Sequence, residues 1–420
     1  MQFLNVSSPC LNDKPDKEIE DIIKKEIDRQ NENITLIASE NYASPAVLSA
    51  MGSVFTNKYA EGYPKHRYYE GCKYVDEIES IARERLNNVF GSEYSNVQPH
   101  SGVQANTAVF LAILKPQDKI LSMNLKDGGH LSHGNVMNIS GKYYEVHFYS
   151  VDKETEQIDY DDIKRMAKEL RPKLIIAGAS SYPRIIDFKK FREIADEIGA
   201  YLMADIAHVA GLIAGGVHPS SIDIADFTTG TTHKTLRGPR GGFILADKKY
   251  STLLDVGIFP GTQGGPLVHM IASKAVAFKE AAEPDFKIYA KNIIENSHIL
   301  CSALKEEGFK IVSGGTDNHL FLIDLTPLDM TGNDASTTLD SLNIVLNKNV
   351  IPYDKLNPNL CSGIRIGTAA VTTRGMGKKE MIEIAEMISF VLKNWQNPSK
   401  ISPVKEQAKK LAEKFPVYAY

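Results

Sequence analysis

The chain has 420 residues, with 48 basic and 52 acidic side chains giving a formal net charge of −4. That length calls for one large domain plus a smaller one, since single cores seldom grow past roughly 250–300 residues, and the balanced charge, free of long like-charge blocks, argues against nucleic acid as the main partner. Scattered Cys10, Cys72, Cys301 and Cys361 form no Cys-x-x-Cys pair, Met1 to Cys10 lacks a basic segment ahead of an apolar core, and no run approaches the length of a membrane span, so a cytoplasmic protein without membrane, disulfide framework or zinc knuckle is expected.

In chain order, residues 16–30 place Ile19, Ile22, Ile23 and Ile27 on one face, the spacing of an amphipathic helix that leans on something larger. Residues 1–40 therefore read as an N-terminal arm. Ser44-Pro45 matches an N-cap followed by proline at the first helical position, and residues 74–90 keep helical spacing until Gly91. Between these helices lies a polar loop rich in Tyr, Glu, Arg and Gly. An apolar run from Leu174, a helix over 188–198 closed by Gly199, and a second apolar run ending at Asp205 form a βαβ unit, hence a mostly parallel, two-sided sheet. Residues 226–229 and 242–246 look like further strands of it. A long helical stretch over 266–307 follows. The pattern then changes to short strands at 319–325 and 362–367 with helices at 334–342 and 378–392, a smaller α+β domain. The expected division is 1–40, 41–284 and 285–420.

The chemistry centres on the run from Thr228 to Gly242, where Lys234 lies between polar β-branched residues and a Gly-Pro-Arg-Gly-Gly turn. A lysine amine with a lowered pKa attacks carbonyls and forms Schiff bases, the resting state of pyridoxal phosphate (PLP) enzymes. The plain alternative is a solvated lysine after a strand. Asp205 ends an apolar strand, where ligands of open α/β sheets bind, and its carboxylate can keep a pyridine nitrogen protonated; the alternative is a helix N-cap before Ile206. Ser101-Gly102 opens a helix and offers free N–H groups to a phosphate. The glycine cluster from Gly261 to Pro266 is a second candidate for that phosphate, and the dinucleotide and P-loop fingerprints are absent. His130, His133, His208 and His233 lack the spacing of a metal site. A histidine stacked on the PLP ring uses them better. Arg365 stands alone in an apolar strand, which suits a bidentate pair with a substrate carboxylate; the alternative is an edge-strand arginine facing solvent.

Together these motifs resemble the serine hydroxymethyltransferase family, PLP enzymes of fold type I. Leu36-Ile-Ala-Ser-Glu-Asn-Tyr42, Thr56-Asn-Lys-Tyr-Ala-Glu-Gly-Tyr-Pro64, Arg67-Tyr-Tyr69, Gln98-Pro-His-Ser-Gly102, Gly128-Gly-His-Leu131, Ala204-Asp-Ile-Ala-His-Val-Ala-Gly211, Thr231-Thr-His-Lys-Thr235, Ser313-Gly-Gly-Thr-Asp-Asn-His319 and Ser362-Gly-Ile-Arg-Ile-Gly367 are similar to its signatures, in its order, over residues 16–394. The resemblance implies an α/β fold with a mostly parallel seven-stranded sheet and a smaller C-terminal α+β domain. It also implies reversible conversion of L-serine and tetrahydrofolate to glycine and 5,10-methylenetetrahydrofolate by a cytoplasmic homodimer with shared active sites. By the same resemblance Lys234 holds PLP, Asp205 pairs with the ring nitrogen, His130 stacks on the ring, His208 approaches the ring hydroxyl and Ser180 is a further cofactor contact. Ser101 and Gly102, with Tyr59 and Gly265 of the neighbouring chain, take the phosphate. Ser39 and Arg365 take the substrate carboxylate, and Glu61, the proton-transfer residue, and Tyr69 of the neighbouring chain flank the hydroxymethyl group. Thr231 and His233 are further catalytic candidates beside the lysine, and Leu125, Gly129, Leu131 and Asn349 the folate contacts. Val103, Gly230, Thr262 and Glu70 depart from the family's usual residues, which bears on cofactor affinity and on the geometry near Tyr69. A related PLP activity, such as a threonine aldolase or an aminotransferase, would keep Lys234 and Asp205 without needing the Glu61 loop. An RNA-binding or scaffold role would tolerate loss of the lysine.

Overall fold

The computed structural model describes residues 16–418, so the segment from Met1 to Cys10 lies outside the described residues. Asp16 caps the first helix, α1 (Lys17–Glu32), by accepting from the Glu18 and Ile19 N–H groups. Among the described residues most of the apolar stripe of α1 is uncovered: Ile19, Ile22 and Ile23 are each more than half exposed. The end of α1 is docked through the Glu32–Lys409 ion pair and through Arg374, which donates to the Gln30 and Asn31 carbonyls. The expected packing of Ile19, Ile22 and Ile23 against a larger body is therefore not found among the described residues. Ser44 caps α2 (Pro45–Met51) through the Val47 N–H, and α3 (Lys73–Phe90) stops at Gly91, whose φ of 73° suits glycine.

Seven strands form the main sheet: β1 (Tyr94–Asn96), β2 (Lys119–Met123), β3 (Glu145–Tyr149), β4 (Leu174–Gly178), β5 (Tyr201–Asp205), β6 (Phe227–Thr231) and β7 (Gly242–Ala246). Their order is β1-β7-β6-β5-β4-β2-β3, and only β7 runs against the rest. Strands β4, β6 and β7 are buried along their whole length, as continuous apolar or small-residue runs covered on both faces must be. Helices α4 (Gly102–Ile113) and α5 (Phe188–Ile198) pack on opposite faces: Phe110 of α4 sits in one apolar cluster with Ile176 and Phe227, and Phe191 of α5 in another with Ile175 and Phe243.

The helical stretch expected over 266–307 is two helices, α6 (Val268–Ala282) and α7 (Pro284–Glu306). Pro284 has no N–H to continue α6 and pushes Glu283 into extended backbone, ψ 150°, so the chain restarts there. Helix α7 serves two cores, burying Phe286, Tyr289 and Ile293 against the main sheet and Leu300, Cys301 and Leu304 against the C-terminal residues.

A second, antiparallel sheet has the order β8-β9-β11-β10, from β8 (Lys310–Ile311), β9 (Leu320–Asp324), β10 (Asn347–Asn349) and β11 (Gly363–Gly367). Helices α8 (Gly332–Asp340) and α9 (Lys378–Lys393) pack on it. The stretch after α1 joins this unit: Ile34 pairs with Ile344 and Thr35 with Val345, and Leu36 accepts from the Gly367 N–H at 2.8 Å. Ala38 then lies flat on Gly367, where any Cβ would come within 2.4 Å of the Ala38 Cα. Among the described residues no helix is long and apolar enough to cross a membrane.

Candidate active site

The parallel strands β4, β5 and β6 end on one edge of the main sheet, and the segments that leave them supply Ser180, Asp205 and Lys234. This edge is where open α/β sheets collect ligands. Helix α4 starts beside it, and the stretch after Ala38 brings Ser39 over from the second sheet. The result is a cleft of about 340 Å³ lined by Ser39, Ser101, Gly102, His130, Ser180, Asp205, His208, Thr231, His233, Lys234 and Arg365. Eleven residues read from the sequence thus converge from seven separate stretches of chain.

Asp205 is buried and fully engaged on one side. Its Oδ2 accepts from Asn106 Nδ2 at 2.9 Å and pairs with His133 Nε2 at 2.9 Å, while Oδ1 accepts from the Ala207 N–H at 3.0 Å. Burial alone would raise its pKa, yet the hydrogen bond and charge of His133, with His130 and Asn106, hold the carboxyl well below the usual range. It is a permanent anion with three of its roughly four lone-pair positions used. The N-cap alternative is met only as a turn: the next helix begins at Ala210, with Val209 as its cap. Asn106 extends the network to Thr229, which donates to it at 2.6 Å, and to Ser132 at 2.9 Å, and Ser132 meets His130 Nδ1 at 2.8 Å. The sequence does not single out Asn106, and it offers His133 as a metal ligand or a ring-stacking histidine but not as a partner of Asp205. The spacing of three from His130 was the available signal for His133.

Lys234 is buried, which removes the solvated-lysine alternative. Burial pulls its pKa down to about 8 against the attraction of Asp205, with Arg365 and Arg240 adding to the depression. Among the described residues its amine has no hydrogen-bond or ion-pair partner. The backbone behind it is tied down instead: Asn41 Nδ2 donates to the Lys234 carbonyl at 2.9 Å and so does the Arg237 N–H at 3.0 Å. Arg237 sits at φ 63° with its guanidinium 4.3 Å from the centre of the Tyr289 ring.

The three cleft histidines are held neutral by burial. His130 is lowered to about 4, with His133 adding to the effect. His233 is lowered to about 3, with Arg240 and Lys234 contributing, and His208 is driven well down, helped by Lys234 and Arg365. His208 stacks on His319, ring centres 5.4 Å apart, with Nδ1 and Nε2 at 3.3 Å. The Thr231 hydroxyl is used by the backbone, donating to the Ala207 carbonyl at 3.1 Å. At the start of α4 the Ser101 hydroxyl caps the Gln104 N–H, and a Cβ on Gly102 would lie 2.7 Å from Thr231 Cγ2.

Arg365 is buried in β11, between β9 and β10, so it is not on an edge strand. Burial lowers its pKa to about 10, still a cation at neutral pH. Its Nη1 donates to the Ser180 carbonyl at 2.9 Å and its Nε to Asn347 Oδ1 at 3.1 Å, and among the described residues it has no carboxylate partner. A buried guanidinium left without a counter-ion is a standing site for an anionic group.

Tyr59, Glu61, Tyr69 and Gly265 do not reach this cleft. They gather elsewhere: the Tyr59 and Tyr69 rings are 5.1 Å apart, the Tyr59 hydroxyl is 3.4 Å from Glu61 Oε1, and a Cβ on Gly265 would touch the Tyr59 ring at 3.4 Å. Both tyrosines are about half exposed. Their hairpin is held by Arg67, which pairs with Asp76 at 2.8 Å and with buried Glu79 at 2.7 Å and donates to the Ala60 and Gly62 carbonyls. Gly62, at φ 91°, lets the hairpin close. Leu125, Gly129 and Leu131 lie in two short turns after β2, outside the cleft lining. Asn349 is on the edge strand β10, its side chain 3.4 Å from Ser181 Oγ. Of the four departures, Gly230 has a steric reason, since a Cβ there would strike the Phe243 ring at 2.3 Å.

A buried amine with a lowered pKa, a permanent carboxylate, an N–H-bearing helix start and an unpaired guanidinium meet in one cleft. This donor set offers partners for the aldehyde, the ring nitrogen and the phosphate of a PLP group and for a substrate carboxylate. A protein-family model described as serine hydroxymethyltransferase matches residues 12–388.

Proposed function

Since the chain belongs to the serine hydroxymethyltransferase family, and therefore has the fold type I architecture of PLP enzymes, we propose that it interconverts L-serine and tetrahydrofolate with glycine and 5,10-methylenetetrahydrofolate. The observation that carries the reading is Lys234: buried, unpartnered, lowered to about 8, and in one cleft with Asp205 and Arg365.

PLP would be held by Lys234, and when bound it supplies an electron sink for the substrate α-carbon. Asp205, whose carboxyl stays ionised, would hold the ring nitrogen and favour its protonated form. Neutral His130 would lie against the ring, His208, backed by His319, would hold the ring hydroxyl, and Ser180 would be a further contact near Arg365. The Ser101 and Gly102 turn receives the phosphate at the start of α4. Arg365 and Ser39 would orient the substrate by its carboxylate, and the lowered amine of Lys234 suits it to carry a proton near neutral pH. Thr231 and His233 shape the lysine's surroundings.

Glu61 and Tyr69, with Tyr59 and Gly265 at the phosphate, act from a second copy of the chain. The support is that Tyr59, Glu61 and Tyr69, on and beside the half-exposed hairpin, cluster with Gly265 outside their own chain's cleft, and that Ile19, Ile22 and Ile23 of α1 are more than half exposed. Leu125, Gly129, Leu131 and Asn349 receive tetrahydrofolate beside the cleft. The same reading divides the chain at about residues 40 and 285, and free Cys72, Cys301 and Cys361 suit a cytoplasmic setting.

The test is borohydride reduction of the PLP-loaded protein, peptide mapping, and a serine-cleavage assay with and without tetrahydrofolate. A pyridoxyl label on Lys234 and cleavage that needs tetrahydrofolate are expected. A label on another lysine, or serine cleavage at full rate without tetrahydrofolate, refutes the assignment and favours an aldolase-type activity.

A further inference from the structure

Lys274, in α6, is among the largest fully buried side chains of the chain, and no part of the proposed chemistry uses it. Its Nζ donates to three backbone carbonyls, Val97 at 2.7 Å, Pro99 at 2.9 Å and Gly242 at 2.9 Å, so all three N–H bonds of the ammonium are engaged. Among the described residues it makes no ion pair. Burial pulls its pKa down, with the charge of Glu79 opposing, while the three carbonyls favour the charged form. Keeping a cation in such a place is costly, and packing alone would be served by a methionine.

The three carbonyls surround one feature. Residues 97 and 99 lead directly into the Ser101 and Gly102 turn, and Gly242 presses on it from below: a Cβ there would be 2.3 Å from the Ser101 carbonyl oxygen and 3.0 Å from the Gly102 nitrogen. The Gly242 N–H donates to the Pro99 carbonyl at 3.0 Å, and Gln263 Nε2 takes the Gln98 carbonyl at 2.8 Å. Each carbonyl oxygen is the negative end of a peptide dipole and would repel an anion at the turn. Engaging them from behind removes that repulsion and sets a positive charge beneath the turn. Gly241 leaves the room this needs, since a Cβ there would meet Lys274 Cε at 2.3 Å and otherwise only side-chain atoms.

We propose that Lys274 is a positioning residue for the phosphate end of the cofactor site, fixing the Ser101 and Gly102 turn and giving it selectivity for a phosphorylated ligand. The inference rests on the reading of that turn as the phosphate cradle. It is tested on cofactor-free protein titrated with PLP and with pyridoxal, which lacks only the phosphate. The ratio of the two dissociation constants isolates the phosphate contribution from reaction at Lys234.

Lys274→Met is expected to reduce the preference for PLP over pyridoxal by at least about tenfold while pyridoxal affinity changes less than about threefold. Gly241→Ala, which displaces the ammonium without removing it, is expected to shift the ratio in the same direction and carries the test alone if the methionine variant does not fold. A wild-type preference that survives in the folded variants, including one where both ligands weaken equally, overturns the role of Lys274 and leaves the cradle standing. A wild-type protein with no preference for PLP overturns the cradle reading itself.

Discussion

Replacing Lys234 with methionine should make the cofactor-free protein more stable at neutral pH, although it destroys the proposed site. The lysine amine titrates near 10.5 when unfolded and near 8 in the folded chain. A base whose folded pKa is depressed is penalised in the folded state at every pH below the folded value, and the penalty fades as pH rises toward the unfolded value. A shift from 10.5 to about 8, at about 1.4 kcal/mol per unit, amounts to about 3 kcal/mol at pH 7 and falls to about 1 kcal/mol at pH 10. Methionine is close in length, carries no charge and suits a mostly buried position. Urea unfolding of both proteins at a series of pH values measures the difference, and titrations elsewhere in the chain cancel between them. A stability difference that is constant from pH 7 to 10, or that favours the wild type at pH 7, refutes the depressed amine and with it the chemical argument for Lys234.

Three further outcomes are expected. Arg365→Lys keeps the charge but loses the planar fork while the Ser180 carbonyl and Asn347 still demand donors, so serine affinity of the PLP-loaded protein should fall by roughly tenfold or more, about 1.4 kcal/mol, with PLP affinity retained; calorimetric titration with serine checks it. Lys234→Ala and Glu61→Gln should each be inactive alone, yet mixing them with subunit exchange should restore up to about a quarter of wild-type serine cleavage, because a mixed dimer holds one intact shared site. Continued inactivity after exchange has been verified by mass spectrometry would confine the site to one chain. Arg67→Met leaves Glu79 buried without its partner and should cost about 3–5 kcal/mol in urea unfolding; an unchanged midpoint would show that the ion pair does not hold the hairpin.

Much of the fold could be read locally because its signals are local. Pro45 after Ser44, Gly91 and Gly199 punctuate helices where the backbone requires it, and the apolar run, helix and apolar run from Leu174 to Asp205 are β4, α5 and β5. The reversal of β7 left no trace, since strand direction is not encoded in composition. Lys234, Asp205 and Arg365 stood out because each is a charge in an apolar or small-residue setting. Lys274, Glu79 and Asn106 did not, for their partners are remote: Lys274 binds carbonyls 177, 175 and 32 positions away, and Asn106 reaches Asp205 across 99. The stripe on α1 was recognised as a packing face, but which body covers it is a question of assembly that one chain's pattern does not address.

The stitching of residues 34–38 into the second sheet sets an order of events during synthesis. Arg374, which clasps the Asn33 carbonyl, follows it by 341 positions. At roughly 5–20 residues per second a ribosome needs on the order of 20–70 s to cover that distance. Until Ile344 is made the segment bearing Ser39 has no strand to pair with, whereas the main sheet has all its members from Ala246 onward. The end of the cleft that takes the carboxylate is thus assembled last, after the end that would take the phosphate has formed, and a nascent chain stalled before β11 would present half a site.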